Sequence, residues 1–122
     1  MSIHSKIIEA CGPIVNGNIW PLSKPPEEDP DEYIVFNPEV DRAAEWGDDR
    51  DLEWIQSYQV HWYHRGQTDY LEKRKAIRKA LKEQYLTVPE IILVTYETDP
   101  GKKSETGTGW THLCFICNDV EE

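Results

Sequence analysis

Two hydrophobic periods organise this chain. Ile3, Ile7, Ile8 and Cys11 recur at helical spacing and Gly12-Pro13 follows, which predicts a helix over residues 2–11. Ile19-Trp20-Pro21 predicts a short extended piece, confined by its proline to a sheet edge or a strand end. Residues 23–32 read as a polar, Pro-rich loop. Tyr33-Ile34-Val35-Phe36 reads as a short strand stopped by Asn37-Pro38, and residues 38–51 as a second polar loop with Gly47-Asp48-Asp49 at its tip. The longest alternation spans residues 52–64. Leu52, Trp54, Gln56, Tyr58, Val60 and Trp62 fall on one side and Glu53, Ile55, Ser57, Gln59, His61 and Tyr63 on the other, which fits a strand with one buried and one wetter face.

Arg65-Gly66 breaks that strand. Asp69 reads as an N-cap with Glu72 three residues later, opening a long helix to about Tyr85. Its expected buried stripe is Tyr70, Ile77, Leu81 and Gln84 or Tyr85, with Lys73, Lys75, Arg78, Lys79 and Lys82 mostly on the other side. Pro89 leads into a strand over Glu90–Thr98, Asp99-Pro100-Gly101 turns it, residues 101–109 read as a mobile loop, and Trp110–Asn118 predicts a final strand hairpinned to the previous one. Val120-Glu121-Glu122 reads as a frayed tail. No repeat or linker divides the chain. The order of elements predicts a single α+β domain over residues 1–122: a mainly antiparallel four- to five-stranded sheet with two helices packed on one face.

Composition narrows the function classes. The 122 residues can bury one modest core, rich in five Trp and six Tyr. There are 23 Asp+Glu against 13 Lys+Arg, a formal net charge of −10, which disfavours direct binding to nucleic acid because that affinity rests on phosphate neutralisation. The charge is unevenly placed. Residues 27–53 hold twelve acids and two bases, so they carry the whole net charge, while six of the thirteen bases are Lys73, Arg74, Lys75, Arg78, Lys79 and Lys82 on the long helix. A solvated loop set and an ordinary amphipathic helix account for this pattern. So does an electrostatically polar subunit that stacks head to tail on copies of itself, a contact that closes into a ring if the rotation permits.

Cys11, Cys114 and Cys117 are an odd number, and no secretory signal or bilayer-length apolar run accompanies them, so a reducing cytoplasm and no membrane are expected. Cys114-Phe-Ile-Cys117 and His61-Trp-Tyr-His64 have metal-like spacings. On a strand, however, positions i and i+3 point to opposite faces, so neither pair grips one ion unless its strand bends. Asp48, Asp49 and Asp51 lack the spacing of a calcium loop, and Gly107-Thr-Gly109 is too short for a phosphate loop. Nothing in the sequence supports a catalytic constellation, a cofactor or a metal site.

In chain order, the N-terminal helix, Ile19-Trp20-Pro21, the Pro-rich loop, Tyr33-Ile34-Val35-Phe36, Ser57-Tyr58-Gln59-Val60-His61-Trp62-Tyr63, the long helix, Tyr96-Glu97-Thr98-Asp99 and Trp110-Thr111-His112-Leu113 resemble the small tail-terminator, or tail-completion, proteins of long-tailed bacteriophages and prophages. Family members often have proline immediately before the Tyr-Ile-Val-Phe strand, whereas here Asp31-Glu32 intervenes. The resemblance implies a structural virion protein, not an enzyme: a hexameric ring that caps the tail tube, ends its polymerisation and offers a docking face to the head-tail connector. Its partners would be further copies of itself, the tail tube protein and the connector protein, with DNA passing through the lumen without specific binding. It would reside in the bacterial cytoplasm during assembly and then at the neck end of the virion tail.

On that reading Asp48, Asp49, Asp51 and Glu53 face the lumen or a subunit seam, where phosphate repulsion lets DNA slide. Lys75, Arg78, Lys79 and Lys82 form a basic interface helix, and Lys102 and Lys103 lie in a loop that contacts the tube or connector. Two other classes compete. A small acidic module inhibiting a basic, nucleic-acid-acting protein would use the same charge as a monomer or dimer. A metal-dependent enzyme or redox protein would need the His and Cys pairs to converge.

Overall fold

The computed structural model describes residues 2–43, 54–66, 68–98 and 109–121. Helix α1 spans Ile3–Cys11, followed by a 3-10 turn over Gly12–Val15 and strand β1 at Ile19–Pro21. Strands β2 (Glu32–Ala43) and β3 (Trp54–Arg65) come next, then helix α2 (Tyr70–Glu83), β4 (Thr87–Thr98) and β5 (Gly109–Glu121). The class is α+β, as expected. Among the described residues the sheet runs β1-β2-β3-β5-β4. It is mixed: β1 pairs parallel with β2, while the β2–β3, β3–β5 and β4–β5 pairings are antiparallel.

Register makes the layers. Ile34 lies opposite Trp62, which lies opposite Leu113; Phe36, Val60 and Phe115 form the next row. All six are fully buried, and Ile3, Ile7, Cys11, Val15, Ile77 and Leu81 pack against the same side. The even-numbered residues of β3 thus meet the helices, as alternation dictates. Burying each large aliphatic or aromatic side chain contributes about 1.5–3 kcal/mol before conformational entropy is subtracted. Ser2 caps α1 by accepting from Ser5 N–H, and Asp69 caps α2 by accepting from Leu71 N–H. Lys6 ties α1 to β5 through Asp119 at 2.9 Å.

Several boundaries differ from the expected ones. The second strand does not stop at Asn37-Pro38 but runs to Ala43, with a register shift between Pro38 and Val40 absorbing the proline. Part of the expected 38–51 loop is therefore strand. Pro89 is likewise taken into β4 at a shift between Thr87 and Glu90. The expected frayed tail pairs instead: Val120 lies opposite Ile55 and Glu121 opposite Trp54. Ile8 is 42 % exposed and Tyr85 is 89 % exposed, so neither belongs to the core. Tyr85 leaves the helical stripe because its φ of 64° turns the chain out of the helix. The loop expected at 101–109 lies outside the described residues up to Gly109.

Candidate functional site

Two surfaces gather the chemically active side chains. The first is the outward side of α2. Lys75, Arg78, Lys79 and Lys82 recur at helical spacing opposite buried Ile77 and Leu81, and with Glu83 they line one shallow groove. All four are exposed. Among the described residues none of them has an acidic group within ion-pair distance, whereas Lys6, Arg65 and Lys73 each do. Lys73, one turn earlier, bridges to Glu32 at 3.0 Å. The four bases thus form a continuous exposed stripe on α2. Asp48, Asp49, Asp51, Glu53, Lys102 and Lys103 lie outside the described residues.

The second surface is the sheet face turned away from the helices. Tyr33, Tyr63 and His112 form a cross-strand row over β2, β3 and β5, with ring centroids 4.9 Å apart for the tyrosines and 4.3 Å for Tyr63 and His112. His61 sits diagonally beside this row, its Nδ1 2.8 Å from His112 Nε2 and its Nε2 3.0 Å from Gln59 Oε1. With the Gln59 oxygen accepting, His61 carries its proton on Nε2, and its Nδ1 accepts from His112 Nε2–H. Cys114 Sγ lies 3.6 Å from that same His61 Nε2.

This arrangement decides two chemical questions. The His61 ring lies between His112 and Cys114 and faces each with a different nitrogen, so the three donors do not converge on one point. Among the described residues no group of three His, Cys, Asp or Glu is placed to hold a metal ion. His64 and Cys117 fall on the other side of their strands, as parity requires. Nor does the trio make a nucleophile and base, because the imidazole nitrogen nearest the thiol already carries a proton and Cys114 is 1 % exposed. The other two thiols, Cys11 and Cys117, sit in the core. Burial pushes both up to about 12, helped for Cys11 by neighbouring Cys117 and for Cys117 by Asp119, so both are held as neutral thiols.

At the end of the sheet, Arg65 places its guanidinium 4.6 Å over the Trp110 ring and bonds Asp31 at 2.7 Å and Asp29 at 2.8 Å. The hydrogen bond to Asp31, opposed by partial burial, raises its pKa above the usual arginine value. The Pro-rich loop is therefore pinned to the sheet, and Arg65 N–H adds a bond to the Asp31 carbonyl at 2.7 Å. Sequence reasoning missed this clamp and the ring row. Their signal was in the alternation of Tyr33, Tyr63, His61 and His112, but which rings meet depends on strand register.

No family model matches the chain, and no curated protein matches it. Among the described residues no helix is long and apolar enough to cross a membrane.

Proposed function

We propose that this chain is a non-catalytic structural protein that assembles with copies of itself into a ring of the tail-terminator kind, closing a bacteriophage tail tube and presenting a face to the head-tail connector. The observation that carries the self-assembly is the separation of charge. An acidic run at residues 27–53 and a basic stripe on α2, without acidic partners among the described residues, coexist in one small domain. Residues 27–53 carry a net charge of −10 in sequence, and a head-to-tail contact with the basic stripe would offset both excesses together. The tube-closing role comes from the resemblance of the ordered segments. The sheet and helix pattern is compatible with it, and so is the finer expectation of a largely antiparallel sheet backed by two helices. Lumen acids Asp48, Asp49, Asp51 and Glu53 and the contact loop with Lys102 and Lys103 belong to this proposal.

Light scattering with negative-stain imaging of the purified protein tests it, alone and with tail tubes. Rings, or caps seated on tube ends, support the reading. A strict monomer in both settings that captures a basic nucleic-acid-acting protein would replace it with the inhibitor reading.

A further inference from the structure

We infer that the outer edge of β4 pairs with the β4 edge of a second copy of this chain, antiparallel and across a two-fold axis; this goes beyond the ring reading and does not depend on it. Among the described residues the sheet ends in two strands, β1 and β4. The two edges are unequal. β1 has three residues and ends in Pro21, which has no N–H to offer. β4 has twelve residues, with β5 on one side and no strand on the other among the described residues. Such an edge presents a row of backbone donors and acceptors that another extended chain satisfies.

The first half of β4 is blunted. It holds Pro89 and both register shifts, between Thr87 and Glu90 and between Ile91 and Leu93. From Leu93 to Thr98 the strand pairs with β5 without interruption. Three of the seven large hydrophobic side chains that are exposed among the described residues lie on this one strand: Ile92, Val94 and Tyr96, each 42–45 % exposed. Val94 and Tyr96 lie opposite Leu113 and Thr111, so they face the helix side of the sheet. A groove of about 470 Å³ separates them there from Thr68, Asp69 and Tyr70 at the start of α2, which leaves the row open to the side chains of an added strand. Tyr96 is held in place by its hydroxyl, which accepts from Gly109 N–H at 2.8 Å.

The sequence of the edge selects the occupant. An antiparallel pairing centred on Thr95 sets Val94 of one copy opposite Tyr96 of the other, and the two-fold axis repeats the pair. Thr95 meets Thr95 on the opposite side of the sheet, and Glu97 falls opposite Leu93, not opposite its own copy. Aromatic with β-branched and Thr with Thr are favourable cross-strand partners. A single edge row is smaller than the about 800 Å² per partner of a standard stable interface, so the pair is a weak one, with a Kd on the order of 100 μM. The net charge of −10 on each copy opposes it, and salt screens that repulsion. Pairing through β4 therefore strengthens with salt, whereas a head-to-tail contact between acidic and basic surfaces weakens.

Sedimentation velocity of the full chain, at rising concentration and at low and high salt, reads the association, and hydrogen exchange locates it. We expect a dimer that strengthens with salt and protects backbone N–H groups of β4. Val94→Lys places a charge on the edge and should weaken the dimer roughly tenfold or more. Val94→Thr, which keeps a β-branched residue, stands in if circular dichroism shows the lysine variant unfolded. Thr95→Cys tests the register: the pairing brings its thiol opposite its own copy, within the disulfide range of about 4.4–6.8 Å between Cα atoms. A mild oxidant should cross-link that variant and leave Leu22→Cys, exposed just beyond β1, uncross-linked. A chain that stays monomeric at every concentration, or whose association Val94→Lys leaves unchanged, overturns the inference. Rings that weaken with salt and ignore Val94 overturn it while supporting head-to-tail assembly. A dimer that depends on Val94, without rings, supports it and removes the ring reading. Protection of β4 by a tail tube or another protein, but not by a second copy, overturns it in favour of a partner's strand.

Discussion

Lys73 Nζ lies 3.0 Å from Glu32 Oε2, joining the first turns of α2 to the start of β2. The same carboxylate oxygen accepts the indole N–H of Trp62 at 2.9 Å. One acid thus serves a surface cation and the polar atom of a fully buried ring. Removing it leaves the indole donor without its acceptor, and a buried unsatisfied donor costs about 1–3 kcal/mol. We expect Glu32→Ala to lower stability in urea by that amount. Lys73→Ala should cost less, because it removes a half-buried ion pair but leaves the indole donor its acceptor. Equal losses would show that the indole hydrogen bond adds nothing beyond the ion pair.

How far such relationships were legible in the sequence depends on what sets them. The face of β3 was readable, since alternation alone puts Tyr58, Val60 and Trp62 inside. The separation of His61 from His64 and of Cys114 from Cys117 was equally readable from parity. The length of β2 was not. Pro38 signals a stop, yet pairing with β3 carries the strand past it through a register shift, a tertiary effect that overrides local propensity. The clamp of Arg65 on Asp29 and Asp31 spans more than thirty residues and depends on where the loop returns to the sheet. The basic stripe followed from helical spacing, but its lack of acidic partners among the described residues became visible only once the neighbouring elements were placed.

The buried thiols set an alkaline limit. Cys11 and Cys117 are held neutral up to about 12 in the folded chain, against an ordinary value of 9.0. Above pH 9 the unfolded chain loses these protons while the folded chain keeps them, so the unfolded state binds fewer protons and stability falls as pH rises. The contribution is fully present below the unfolded value and is lost progressively between about pH 9 and 12. Denaturant melts across that range should show the decline, and the Cys11→Ala, Cys117→Ala double variant should flatten it. A slope unchanged in the variant would assign the decline to other groups. At pH 8, a thiol reagent should label both cysteines only after unfolding.

The histidine pair should be coupled. His112 is 5 % exposed and donates to His61, which passes its own proton toward Gln59. His112→Phe keeps a ring against Tyr63 but removes the donor, and His61→Phe removes the acceptor. Each single change should destabilise by about 1–3 kcal/mol, with a double variant losing less than the sum. Strict additivity in urea unfolding would mean that the 2.8 Å contact contributes nothing of its own.

The C-terminus of α2 offers a gain. Tyr85 adopts φ 64°, while Leu86 N–H reaches back to the Leu81 carbonyl at 3.2 Å and Tyr85 N–H to that of Lys82 at 2.9 Å. This is a Schellman-type end, and its left-handed position favours glycine. A non-glycine residue there carries strain of about 1–2 kcal/mol, partly offset by the extra freedom glycine has in the unfolded chain. Tyr85 is 89 % exposed, so replacing it sacrifices little packing, and buried Leu86 still closes against Leu81. We expect Tyr85→Gly to stabilise the fold by about 0.5–1 kcal/mol, seen as a melting point a few degrees higher. Tyr85→Ala keeps the positive φ without relieving it, and should bring no such gain. If alanine stabilised as much as glycine, the benefit would come from removing the exposed ring, and the strain assigned to this turn would be absent.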